Sequence, residues 1–193
     1  MNNLIKEIIK PENLMEETLI KDEEFIQGAL WGKPRNGHPE GQVIYHIGDV
    51  LKNVDKYSTP ENRGALRFIA IVHDTFKNKV DKSKPRWGEN HHGMIARRFV
   101  ERHFPLALDD IWMPEILLIT ELHDEAYNAW CKGDRDGAWD KAEYRGRRLI
   151  QQLNRLNALP LYLTFYQCDN ETGDKERANF VWFKNLCDNF NNQ

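Results

Sequence analysis

Histidine and aspartate side chains recur in this chain on apolar, helix-spaced stretches, where ionisable groups are uncommon. The clearest stretch is FIAIVHDTFKNK, residues 68–79, in which an apolar run ends in the doublet His73–Asp74 and Lys77 follows one helical turn later. A buried imidazole or carboxylate without a partner is energetically costly. Because one shared cation would satisfy several such groups at once, the pattern predicts metal binding.

The other candidate ligands are located by helical periodicity, since residues three, four or seven apart share one face of a helix. His46, for example, follows Val43 by three residues and precedes Val50 by four. His92 shares a face with apolar residues, whereas its neighbour His91 aligns with arginines, so we expect His92 to face inward. The complete predicted set is His46, His73, Asp74, His92, His123 and Asp169.

Each of these residues also has an ordinary structural interpretation. A histidine on an apolar helix face is more often a hydrogen-bonded core residue than a ligand. A His–Asp doublet is common at helix ends, Asp169 could cap the following helix, and Lys77 could be a solvated side chain. What favours a metal site is the coincidence of four histidines and two aspartates on separate predicted helices.

Apolar residues recur at helical spacing along almost the whole chain, and strand-like alternation is rare. The predicted helices contain the apolar runs at 43–54, 65–72, 95–100, 112–119 and 149–156. The stretch LYLTFYQCDN (161–170) could pass for a strand, but Pro160 at its start favours a buried helix. Two segments, 77–90 and 131–139, have the Gly, Pro and charge content of loops. We therefore predict an all-α protein, a single-domain helical bundle spanning residues 1–193.

Composition and charge limit the classes of function. The 193 residues are 40% hydrophobic and 30% charged, with a formal net charge of -3, so no overall positive field would recruit a nucleic acid polymer. The three cysteines, at 131, 168 and 187, fit neither a disulfide framework nor a CxxC metal site. A charged amino-terminal segment lacks a signal-peptide pattern, and no apolar stretch approaches membrane-spanning length. We expect a soluble, cytoplasmic protein without a membrane partner.

The order of the candidate ligands resembles that of the HD-domain superfamily of metal-dependent phosphohydrolases, whose pattern is H…HD…H…H…D on a helical bundle. Here the pattern reads HPEGQVIYHIGDVL, IVHDTFK, ENHHGMIARRF, ELHDEAYNAW and FYQCDNETGDK, over residues 38 to about 175. The resemblance implies that one divalent metal, such as iron or manganese, is bound by His46, His73, Asp74 and Asp169. It also implies a second metal bound by His92, His123 and the other oxygen of Asp74.

The resemblance implies that the protein cleaves a phosphoester of a small phosphorylated molecule by attack of a metal-activated water, and a nucleotide or nucleotide-derived substrate is favoured. Asp74 would act by bridging the metals, and Lys77 by neutralising a phosphate oxygen. Three alternatives stay open: a centre with one ion instead of two, a di-iron oxygenase of the same superfamily, and a non-catalytic regulatory module that binds a metal or an anion.

Further residues could contact the substrate or support the ligands. Basic residues follow the His–Asp doublet closely, and such a local patch would attract an anion. The candidate substrate contacts are His38, Lys79 and Arg86. Trp87 could stack on a base, and Asp124 could orient a ligand imidazole from behind. The apolar helix predicted after residue 174 could close the bundle or form a homodimer face.

Overall fold

The computed structural model describes residues 3–36, 39–105 and 113–191 of the chain. Within these ranges the all-α prediction is confirmed, because every regular secondary-structure element is a helix and no β-strand forms. The α-helices are α1 (Asn3–Ile9), α2 (Leu14–Leu19), α3 (Glu23–Ala29), α4 (Val43–Tyr57), α5 (Arg63–Val72), α6 (His92–His103), α7 (Met113–Leu122), α8 (Glu125–Asp134), α9 (Trp139–Asn154), α10 (Leu159–Asn170) and α11 (Ala178–Asn191). Two short 3-10 helices span Thr75–Lys79 and Gly88–Asn90. None of the described helices has both the length and the apolar character needed to cross a membrane.

Helical periodicity located the elements that carry the candidate ligands. The stretch that resembled a strand is helix α10, with Pro160 in its first turn. The loop prediction for 131–139 is wrong at its start, because α8 continues to Asp134. Gly133, which suggested a loop, instead leaves room for a ring: a Cβ on it would lie 2.1 Å from the side chain of Trp139.

The carboxyl-terminal helix α11 contributes to the core of the bundle. Phe183 and Leu186 are buried, and α11 packs against α8, α9 and α10. Val181 on the same helix is 53% exposed. The buried face of α11 therefore closes the bundle, which is one of the two roles predicted for this helix.

Helix α5 is buried along most of its length and leads directly into the candidate site. Every residue from Ala65 to Val72 is buried, and the helix packs against α4, α7 and α10. At its carboxyl end the hydroxyl of Thr75 donates to the carbonyl of Ile71 at 2.8 Å, which satisfies one of the free carbonyls of a helix end. His73 and Asp74 thus lie where a buried helix turns, so both side chains point into the bundle.

A buried ion pair attaches the amino-terminal helices to α5. The guanidinium of Arg67 donates to both carboxylate oxygens of Glu16, at 2.8 and 3.1 Å, and to the carbonyl of Ile9 at 3.0 Å. Both side chains are almost fully removed from water. A bidentate contact of this kind fixes the relative orientation of the two side chains as well as their distance. It therefore holds α1 and α2 against the helix that carries the doublet.

Two glycines allow helices to approach the candidate site closely. A Cβ on Gly28 of α3 would lie 1.9 Å from the carbonyl oxygen of Thr75. One on Gly93 of α6 would lie 2.5 Å from the carbonyl oxygen of Glu121 in α7. Because no larger residue fits at either position without movement, these contacts set how near α3 and α6 come to the doublet and to His123.

Candidate metal centre

The structure brings the six predicted ligands together at one end of the bundle. They come from five parts of the chain: the first turns of α4, the two residues after α5, the start of α6, the turn after α7 and the end of α10. Five of them are at most 8% exposed, and the Asp169 side chain is 14% exposed. The ligand atoms form two groups, His46 with His73 and Asp169, and Asp74 with His92 and His123.

The first group surrounds a point between α4, α5 and α10. The Nε2 atom of His46 lies 3.0 Å from Oδ1 of Asp169 and 3.3 Å from Nε2 of His73. Oδ2 of Asp74 is 3.5 Å from His46 Nε2 and 3.6 Å from His73 Nε2. Four potential ligand atoms therefore converge within the reach of a single cation.

The second group lies on the other side of Asp74, between α6 and α7. Nε2 of His92 is 3.0 Å from Nε2 of His123. Oδ1 of Asp74 is 3.2 Å from the former and 3.4 Å from the latter. Asp74 therefore directs one carboxylate oxygen to each group. Its Oδ1 atom is buried and accepts no hydrogen bond from the described residues, which is the environment expected of an atom that ligates a cation.

Backbone and hydroxyl acceptors orient the imidazoles. The Nδ1 atoms of His73 and His123 lie 2.9 Å from the carbonyl oxygens of Ala70 and Thr120, which can only accept, so both Nδ1 atoms carry the proton. In the neutral ring this leaves the Nε2 lone pair directed into the cluster. Hydrogen bonds of this kind to the far nitrogen are typical of metal-ligating histidines.

His46 has a comparable support. The hydroxyl of Thr172 donates to the carbonyl of Asp169 at 2.7 Å, so its oxygen is available to accept from Nδ1 of His46, 3.4 Å away. With the proton on Nδ1, the lone pair on Nε2 of His46 would point toward Nε2 of His73 and Oδ1 of Asp169, and a cation between these three atoms would satisfy all of them.

The distances fit a metal centre. Donor atoms about 2.1 Å from one tetrahedral or octahedral ion lie roughly 3.0–3.4 Å apart. The contacts to Nε2 of His46 and of His92 are close to this spacing, and the donor set mixes imidazoles with carboxylates. Such a set suits first-row divalent ions. The cluster can therefore hold metal.

Charge in the cluster also favours a cation. Burial lowers the pKa of His73 to about 3 and that of His92 to about 4, so both rings are neutral at neutral pH, as ligands must be. Burial acts in the same direction on His123, but the carboxylates of Asp124 and Asp74 outweigh it and raise its pKa to about 9. The second group thus attracts a proton strongly, and a metal ion would take the place of that proton.

No family model, curated protein or solved structure matched the chain when it was compared with them. The metal centre is accordingly supported by residue types, spacing and geometry.

The two adjacent histidines of α6 differ in the atom that they present. His91 is the N-cap of the helix, and its Nδ1 accepts a hydrogen bond from the backbone N–H of Gly93 at 3.1 Å. In the neutral ring the proton is then on Nε2, which leaves no lone pair there for a metal. His92 is buried against Asp74 and His123, as its position on the apolar face predicted.

Asp124 occupies a different place from the one expected. It was predicted to support a ligand imidazole from behind, but its oxygens lie 3.4 Å from Nε2 of His92 and 3.5 Å from Nε2 of His123. Those are the ligating atoms, whereas the far nitrogen of His123 bonds to a backbone carbonyl. Asp124 could therefore complete the second group. The signal was in the sequence, since His123–Asp124 repeats the doublet His73–Asp74.

Two lysines balance the carboxylates. Lys77 contacts Oδ2 of Asp74, and Lys175 lies 2.7 Å from Oδ1 of Asp169. Burial would raise the pKa of Asp74, but Lys77 and the imidazoles hold it well below its usual range. Burial would lower the pKa of Lys77, but Asp74 and Asp124 outweigh it, so the pKa is raised and the lysine stays charged. Lys175 received no role from the sequence, because its contact depends on the turn after α10.

A cavity of about 810 Å³ opens beside the cluster and is lined in part by His46, Asp74, Lys77, His92 and Asp124. Of the predicted substrate contacts, Arg86 lines it, Lys79 is exposed outside its lining, and His38 lies outside the described residues. Lys82, which belongs to the basic patch predicted after the doublet, also lines it, as do Lys33 and Arg35, which the sequence did not indicate.

Proposed function

We propose that the protein is a metal-dependent phosphohydrolase that cleaves a phosphoester of a small molecule, preferably a nucleotide, by attack of water on phosphorus. The observation that carries the proposal is the position of Asp74, whose two oxygens face two separate sets of imidazoles. A pair of metal ions would supply a water of lowered pKa and stabilise negative charge on the transferred phosphoryl group. The ligand order, which resembles that of the HD-domain superfamily, supports the same reaction class.

The side chains around the cluster suit this reaction. Lys77 is held at the cavity wall by Asp74, where its ammonium group would neutralise a phosphate oxygen as charge moves to the leaving group. The acceptors behind His73 and His123 keep both rings in one orientation. Basic residues of the cavity would attract an anionic substrate to a protein that is acidic overall.

The same ligand set would also serve a di-iron oxygenase, and a regulatory module could bind metal without turnover. The basic cavity beside the cluster suits an anionic ligand, and a phosphoester would provide both the group that is bound and the bond that is cleaved. Turnover is what separates hydrolysis from a module that only binds an anion.

The test is a phosphate-release assay on protein reconstituted anaerobically with manganese or iron. Nitrophenyl phosphate and a panel of nucleotides serve as substrates, and oxygen uptake is followed in parallel. We expect metal-dependent phosphate release that falls by about 100-fold or more in Asp74→Asn. The control Asp49→Asn alters an aspartate of α4 that pairs with Lys52 at the surface and should keep full activity. Oxygen uptake without phosphate release would favour the oxygenase, and metal binding without either would favour the regulatory module.

A further inference from the structure

The cavity beside the metal centre carries positive charge on two separate segments of the chain. Lys33 and Arg35 precede α4, and Lys82 and Arg86 lie between the two 3-10 helices. In the described part of the chain none of these four residues forms an ion pair. Lys84, in the same basic loop, differs because it pairs with Asp81 at 3.3 Å. Four cations thus line one cavity, and none of them has an ion-pair partner among the described residues.

The first segment is fastened to the start of α4. The N–H of Val43 donates to the carbonyl of Trp31 at 2.9 Å, and the side chain of Gln42 donates to the carbonyl of Leu30 at 2.9 Å. Gly32 has a φ of +122°, and a Cβ there would lie 2.4 Å from the carbonyl oxygen of Gly41. Lys33 and Arg35 therefore follow a backbone anchored beside the helix that carries His46.

The second segment is folded around one asparagine. The side chain of Asn90 accepts from the N–H of Asp81 at 2.9 Å and donates to the carbonyls of Asp81 and Pro85, both at 2.9 Å. The carboxylate of Asp81 in turn accepts from the N–H and hydroxyl of Ser83. Because Asn90 also lines the cavity, this network fixes the loop that presents Lys82 and Arg86 at the cavity itself.

The positive charge of these four residues exceeds the negative charge that the nearby carboxylates and a single phosphate would supply. Asp74 is paired with Lys77, and Asp169 with Lys175. The other two carboxylates near the site face histidines: Glu40 lies 3.6 Å from Nδ1 of His46, and Asp124 lies 3.4 Å from Nε2 of His92. A phosphate monoester carries about two negative charges at neutral pH. It would leave part of the wall unmatched, whereas a chain of linked phosphates would match it. The volume of about 810 Å³ is that of a site for a nucleotide-sized molecule.

We infer that the substrate of this site carries two or more linked phosphates, with one held at the metal centre and the rest along the wall formed by Lys33, Arg35, Lys82 and Arg86. This inference rests on the proposed function and specifies its substrate class.

Calorimetric titration of the metal-loaded protein with inorganic pyrophosphate and with orthophosphate tests the inference. We expect pyrophosphate to bind about tenfold or more tightly than orthophosphate, and the double variant Lys82→Ala/Arg86→Ala to lose most of that preference. The control Lys84→Ala removes a cation of the same loop that is already paired, and should keep the preference. Metal content measured before and after each titration separates binding from removal of the metal by pyrophosphate.

Equal affinity for the two anions, or an unchanged preference in the double variant, would overturn the inference. Its failure and that of the proposed function are distinguishable. If no phosphoester is hydrolysed but the preference depends on Lys82 and Arg86, the hydrolase proposal is wrong and the polyphosphate site stands. If hydrolysis occurs without the preference, only the substrate class is wrong.

Discussion

At the scale of single residues, the adjacent histidines that open α6 have different tasks. Nε2 of His92 points at Asp74 and His123, whereas Nδ1 of His91 caps the helix through Gly93. We expect His92→Ala to reduce the bound metal by about one ion per chain, because the second group loses a ligand. His91→Ala should keep the metal and lose about 1 kcal/mol of stability with the cap.

Elemental analysis of the two purified variants, together with thermal unfolding, checks this prediction. Equal loss of metal in both variants would show that His91 shares the ligand role, and the assignment from its protonated nitrogen would be wrong.

The three thiols provide a second test at this scale. Cys168 and Cys187 are buried, and burial raises the pKa of both thiols to about 12. Below that pH they stay protonated, and the thiolate is the reactive form. Cys131 is only partly buried. We expect a disulfide reagent at about pH 8 to modify one thiol quickly in the native protein and all three after denaturation. Three equally fast thiols in the native protein would contradict the described packing of α10 and α11.

At the scale of elements, the approach of α6 to α7 sets the second group of ligands. Gly93 lies against the carbonyls of Thr120 and Glu121, and His92 and His123 are the ligand residues next to that contact. We expect Gly93→Ala to cost about 1–3 kcal/mol and to weaken metal binding, because α6 must move away from α7.

The matched control is Gly64→Ala in α5, where a Cβ would meet no atom within 4 Å. There alanine should leave metal binding unchanged and stabilise the helix by up to about 1 kcal/mol. Denaturant unfolding with metal titration compares the two variants. If Gly93→Ala behaves like Gly64→Ala, the close contact does not position the ligands.

Elements with strong apolar periodicity could be predicted from the sequence, and those set by tertiary contacts could not. Helix α4 could be predicted from the spacing of its apolar residues alone, because one face is buried and the opposite face is exposed to solvent. Gly133 has the residue type of a loop, and only its contact with Trp139 explains why α8 continues past it. In the same way, the anchoring of the Lys33–Arg35 segment depends on bonds to residues of α4 and its approach, which no local pattern encodes.

At the scale of the whole molecule, the site is a convergence of elements distant in sequence. Periodicity could indicate that His46 and Asp169 face inward, but their separation of 3.0 Å depends on how α4 and α10 pack. The local distribution of charge also depends on the fold: the chain is acidic overall, yet the cavity wall is basic. The sequence allowed the prediction that any anion site is local, and the fold determines which of the 27 lysines and arginines form it.

The most direct test of the central claim is the number of first-row metal ions bound per chain by the wild type, by Asp74→Asn and by Asp49→Asn, measured after anaerobic reconstitution with iron or manganese. We predict about two ions for the wild type and for Asp49→Asn, and few or none for Asp74→Asn, because both groups share that carboxylate. Wild-type protein that binds no metal, or an Asp74→Asn variant that keeps both ions, would contradict a centre bridged by Asp74.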